Sequence, residues 1–175
     1  MMTANERMIE DANTAIEKYR GFEFAYRLLQ GKDLDYLRKM SRAYKQAVSA
    51  LQELILPAVQ AECPHCQYGT CCRLYSSKLK IYIARSVGGF EFRDFLLARC
   101  DSQLPEPDLT NRAKNFCAFW ENGCRLNPNC RSLLCLQYFC EPLQRRLDMN
   151  EVNRRLALVQ NVVDQFSLQR LFGRE

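Results

Sequence analysis

The chain has 175 residues, Lys+Arg 25 against Asp+Glu 20, a formal net charge of +5 and 47% hydrophobic residues. This is globular composition at a length usual for one domain, and it excludes fibrous and disordered classes. The single histidine, His65, excludes every centre that needs two imidazoles, including two-His zinc protease helices and 2-His-1-carboxylate iron sites.

Residues 1–61 read as a helical hairpin. Met8, Ala12, Ile16, Tyr19, Phe22, Tyr26 and Leu29 recur at spacings of three and four, one apolar stripe, and Thr3 with Glu6 offers a capping box. Gly31 interrupts the pattern. Leu34, Leu37, Tyr44, Val48, Leu51, Ile55 and Ala58 resume it, with Asp33 as the expected N-cap. A short loop between two long helices predicts an antiparallel pair. The longest apolar stretch, 51–61, is broken by Gln52, Glu53 and Gln60, so no membrane span is expected. The N-terminus lacks the basic-then-apolar order of a secretory signal, which makes the reducing cytoplasm the expected location and disfavours disulfides.

Residues 62–141 change character, since all ten cysteines lie here. Weak alternation at 78–83 predicts a short strand, 90–98 a helix, and 101–111, with Pro105 and Pro107, a loop. Val87, Gly88, Gly89 and Phe90 are too short a motif for a nucleotide-binding loop. Residues 148–173 read as a C-terminal helix capped by Asp148 and Glu151, with Val152, Leu156, Val159, Val163 and Phe166 as its stripe and Gly173 as its stop. The expected fold is mainly α: a single domain in which the N-terminal hairpin and the C-terminal helix form a bundle bracketing a cysteine-rich, loop-rich metal-binding segment. The same amphipathic helices equally suit a protein partner or a homo-oligomer.

Cys63, Pro64, His65 and Cys66 form a C-x-x-C turn, followed by the adjacent pair Cys71 and Cys72. Such a turn aims backbone N–H groups at two converging sulfurs and so suits a soft cation. A second set, Cys117, Cys124, Cys130 and Cys135, can complete the shell. These eight are the candidate metal ligands, and four thiolates satisfy either Zn2+ or a [4Fe-4S] cluster. Cys140, five residues beyond Cys135, is off the same helix face and is a weaker candidate, and the isolated Cys100 reads as a small core residue. His65 would share a cation with its neighbour Cys66 only under strain, so it belongs outside the coordination shell, as does Arg131, which can offset thiolate charge beside Cys130. Phe119 and Trp120 read as core. A catalytic thiol relay would require a thioredoxin-like strand-helix context that the pattern lacks. The densest positive stretch, Arg145, Arg146, Arg154 and Arg155, lies among charges of both signs, which argues against nucleic acid.

The order C-x2-C-x4-C-C, then Cys117 with Phe119, Gly123 and Cys124, then Pro128, Cys130 and Arg131, with Cys135 last, resembles the YkgJ-like cysteine-cluster family, described as zinc- or iron-chelating domains. Asn127 stands where that family has Arg before the Pro. The resemblance covers under half of the chain. It implies a metal-binding protein, and because some relatives, including a flagellin lysine methylase, are associated with an iron–sulfur cluster, it implies a second reading. The first is a structural, assembly or metal-handling protein without catalytic residues. The second is an iron–sulfur redox or group-transfer enzyme component.

Overall fold

The structure, a computed structural model, describes residues 4–62, 87–108, 110–113, 117–121 and 124–173. The predicted strand at 78–83, Thr3 of the capping box, His65 and the cysteines Cys63, Cys66, Cys71 and Cys72 lie outside the described residues.

Two long helices open the chain, α1 (Ala4–Leu28) and α2 (Gly31–Glu62). The second starts at Gly31, whose φ of +53° suits glycine, and Asp33 falls inside the first turn, where a negative charge favours the helix dipole. Leu37, Tyr44, Val48, Leu51, Ile55 and Ala58 are buried as the stripe predicts, and Ser41 and Gln52 are buried among them. This stripe packs chiefly on α7 (Met149–Gln165), whose Val152, Val159 and Val163 are buried in turn.

The helix predicted over 90–98 is α3 (Phe92–Arg99). Its Asp94, Phe95, Leu96, Leu97 and Ala98 are all buried, so a helix from residues 62–141 lies in the core among the described helices. The helix withdraws five consecutive residues, 94–98, from water, while Arg93 is exposed and Arg99 half-buried. It packs on α2, α1 and α7. The α1 contact is aromatic: Tyr19 meets Phe95 edge-on at 5.3 Å, and Phe22 stacks on Phe92 at 4.9 Å. A half-buried ion pair between Arg99 and Glu23, 2.8 Å long, adds to it.

Four short elements follow: α4 (Thr110–Ala113), a 3-10 turn (Pro128–Cys130), α5 (Leu133–Gln137) and α6 (Glu141–Arg146). Asp148 caps α7 as expected, accepting from Asn150 N at 3.0 Å and Glu151 N at 3.3 Å. The C-terminal helix is nevertheless two helices, α7 and α8 (Leu168–Phe172). The break is tertiary: Ser167 N donates to the Tyr36 hydroxyl at 3.1 Å, Tyr36 stacks on Phe166, and Ser167 Oγ then caps α8. Gly173 ends α8.

Among the described residues no helix is long and apolar enough to cross a membrane. The four arginines of the basic stretch are locally paired: Arg145 with Glu141, Arg146 with Glu62, and Arg154 and Arg155 with Glu151 at 2.7 and 2.8 Å.

Phe95 is the centre of this packing, touching Tyr19, Phe22 and Phe90 with no exposed surface. Phe95→Ala is therefore expected to cost about 3–5 kcal/mol in a urea denaturation. Phe24→Ala, at a position 66% exposed, should stay within about 0.5 kcal/mol of the parent.

Candidate metal centre

Immediately before α3 the chain makes a tight corner at Gly88 and Gly89, with φ of +65° and +73° and Phe90 N bonded to Val87 O at 3.3 Å. Both glycines are required sterically as well as conformationally. A Cβ on Gly88 would stand 2.5 Å from the Phe119 ring, and one on Gly89 would stand 2.8 Å from Ser132 Oγ. Phe119 belongs to the segment carrying Cys117 and Cys124, and Ser132 lies between Cys130 and Cys135. The two segments thus press on one corner.

The first segment doubles back on itself. Trp120 N donates to Cys117 O at 3.0 Å, Phe119 N to Cys117 Sγ at 3.5 Å and Arg125 N to Phe119 O at 2.8 Å, and Trp120 forms an isolated bridge with Cys124. Phe119 anchors it in the core beside Tyr19 and Phe90, 6.0 and 6.3 Å away between ring centres. Asp108 N donates to Ala118 O at 2.8 Å, and the buried Asn111 side chain donates to Trp120 O at 2.6 Å.

The second segment is tied at successive residues. The Asn127 side chain caps the 3-10 turn by accepting from Asn129 N at 3.0 Å. Arg131 O accepts from the Tyr44 hydroxyl at 2.7 Å. Ser132 Oγ donates to Gly88 O at 2.8 Å and accepts from Cys135 N at 3.3 Å, while Leu133 N donates to Asp94 Oδ2 at 2.9 Å. The other Asp94 oxygen accepts from Glu91 N at 2.8 Å and so closes the α3 capping box. The Cys135 thiol donates to Gly88 O at 3.4 Å.

Cys135 and Cys124 are exposed residues; the Cys135 thiol is nonetheless raised above its ordinary value, by desolvation first and by nearby Cys117 and Cys124, with Ser132 and Arg131 opposing. Burial also raises the Tyr44 hydroxyl well above its ordinary value, with Asp94, Cys135 and Cys130 adding to the effect. Asp94 is raised to about 7, by burial first and by Glu91 in addition, against the hydrogen bonds from Leu133 and Glu91.

Cys117, Cys124 and Cys135 are thus close enough to feel one another's charge, and Cys130 shares the Tyr44 neighbourhood with Cys135. Among the described residues no three Cys, His, Asp or Glu side chains stand close enough to hold one ion by themselves. Cys100, Cys124, Cys130, Cys135 and Cys140 carry free thiols. Cys100 is a fully buried residue beside Ser41, Cys140 is half-buried at the N-cap of α6, Phe119 is core, and Trp120 is half-buried. Arg131 stands at the corner with its Nε buried and without a hydrogen-bond partner, a donor suited to a sulfur acceptor. The chemistry of the set, soft sulfur donors beside an unsatisfied cationic donor, fits a thiophilic metal group.

The sequence reading missed Tyr44, Gly88, Asp94 and Asn111. A tyrosine on a core stripe, an aspartate within an apolar helix and adjacent glycines between apolar residues were the available signals, because each needs a structural partner once buried. No family model matches the chain, and no curated protein or solved structure does either.

Two measurements test this geometry. Gly88→Ala meets both the positive φ and the Phe119 ring, so it should destabilise by about 1–3 kcal/mol in chemical denaturation. Asp94 protonates more readily folded than unfolded, so its favourable contribution is complete below about pH 4 and is lost as pH rises through about 7. The stability of the parent should fall relative to Asp94→Asn across that window, by up to about 4 kcal/mol, in denaturation curves recorded at each pH.

Proposed function

We propose that this chain is a cysteine-thiolate metal-binding protein, holding Zn2+ or a [4Fe-4S] cluster in a structural, assembly or metal-handling role. The observation that carries the reading is the convergence of two cysteine-bearing segments, with Cys117, Cys124, Cys130 and Cys135, on the Gly88 corner through Phe119 and Ser132. Connectivity supports it. Residues 63–86, which contain Cys63, Cys66, Cys71 and Cys72, immediately precede Val87 of that corner in the sequence. The family resemblance in the cysteine order points the same way.

In this reading the ligands come from those eight cysteines, and Arg131 and His65 lie outside the coordination shell. Tyr44, Asp94, Asn111 and Ser132 hold the loops, and the aromatic side chains around Phe119 exclude water. Zinc would cross-link the loops, whereas a cluster would carry an electron or support group transfer. One ion ligated by cysteines from several loops draws those loops together, so ligation and loop order are coupled. Reduced thiols suit a cytoplasmic setting.

The test is anaerobic purification without added metal, with elemental analysis beside a visible absorption spectrum. The expected result is bound metal: a colourless protein holding zinc, or a brown one holding iron and acid-labile sulfide that bleaches on reduction. Removal of the metal should lower the thermal midpoint by several degrees, and Cys117→Ser together with Cys130→Ser should abolish loading. Neither metal in the purified protein, with chelator leaving stability unchanged, would overturn the proposal. An iron–sulfur result would favour the redox or group-transfer alternative.

A further inference from the structure

Among the described residues the buried polar side chains are Ser41, Gln52, Asp94, Asn111 and Ser132, together with the hydroxyl of the fully buried Tyr44. A bundle that needed only stability would fill such positions with apolar groups, because a polar group left unmet in a core is costly. Four of these six groups instead bond the cysteine-bearing loops. Asn111 holds Trp120 O, Ser132 ties its own loop to Gly88 O, Tyr44 holds Arg131 O at 2.7 Å and Asp94 holds Leu133 N at 2.9 Å.

Tyr44 and Asp94 differ from the rest in where they come from. They project from two different helices, α2 and α3, whose places are set by apolar packing far along the chain from residues 130–135. Their targets flank Ser132 and lie between Cys130 and Cys135. One grips the chain by a carbonyl and the other by an N–H, so together they fix both the position and the orientation of the intervening peptides.

The geometry points to Tyr44 and Asp94 as positioning residues for the thiolate site, presenting Cys130 and Cys135 in a preset relation before metal binds. This rests on the metal-binding reading above. Neither residue touches the metal. Each acts by removing loop freedom that ligation would otherwise have to remove, and outer partners of this kind change metal affinity by about 10- to 100-fold when lost.

The test uses Co2+ as the probe, added to the full chain under anaerobic reducing conditions after chelator treatment, with the thiolate-to-cobalt charge-transfer band followed in competition with a chelator. Tyr44→Phe removes only the hydroxyl and keeps the ring. Ser41→Ala is the matched control, since Ser41 is buried on the same helix and donates at 2.7 Å to Leu97 O, away from the cysteine loops. Both should shift the denaturation midpoint of the metal-free protein by a similar small amount. Tyr44→Phe is expected to weaken Co2+ affinity about 10-fold or more and to move the ligand-field bands, while Ser41→Ala stays within about two-fold of the parent. Asp94→Asn, which turns an amide donor toward one of its two N–H partners, should follow Tyr44→Phe; should it not fold, Tyr44→Phe decides. Unchanged affinity in Tyr44→Phe, or an equal loss in Ser41→Ala, would overturn the positioning role while leaving metal binding intact. A parent protein with no charge-transfer band at saturating Co2+ would overturn the positioning role together with the zinc form of the metal reading.

Discussion

The Gly88 carbonyl accepts from Ser132 Oγ at 2.8 Å and from the Cys135 thiol at 3.4 Å, and the described segments carrying Phe119 and residues 130–135 are arranged around that point. The carbonyl reaches both donors because Gly88 and Gly89 adopt positive φ, a conformation that side-chain-bearing residues avoid. The missing Cβ atoms matter as much. They leave room for the Phe119 ring on one side and Ser132 on the other. A single backbone corner therefore joins segments that lie about thirty and forty-four residues later in the chain, and α3 begins three residues after it.

That corner is held by a core of unusual chemistry. The packing of α2, α7 and α3 is mostly apolar, with Ser41 and Gln52 buried in it, and Tyr44 and Asp94 also turn polar atoms inward and find backbone partners in the loop at residues 131–133. Satisfied networks of this sort specify one arrangement where apolar contact alone permits several. The same burial makes negative charge expensive, as the raised Asp94 carboxyl shows. Under the proposed function a soft cation stabilises the cysteine sulfurs in their deprotonated form.

Much of the helical framework was legible in the apolar spacing. Leu37, Tyr44, Val48, Leu51, Ile55 and Ala58 on α2, and Val152, Val159 and Val163 on α7, are buried as their period requires. The capping role of Asp148 and the stop at Gly173 were legible because they depend on neighbours two to five residues away. The split after Gln165 was not, since Tyr36 and Ser167 are 131 residues apart and only packing brings them together. The central place of α3 was likewise hidden. Its apolar run at 95–98 announces burial but not which helices supply it.

The sequence by itself determined the long helical stretches, their apolar faces and the concentration of thiols in residues 63–140, because these follow from local periodicity and composition. The tertiary structure alone decided that Phe119 and Ser132 meet at Gly88, that Tyr44 and Asp94 clamp one loop, and that α3 packs on α2, α1 and α7. Those facts depend on hydrogen bonds and close approaches between residues tens of positions apart. No local pattern encodes such a separation, since the energy that selects it exists only when the helices have packed.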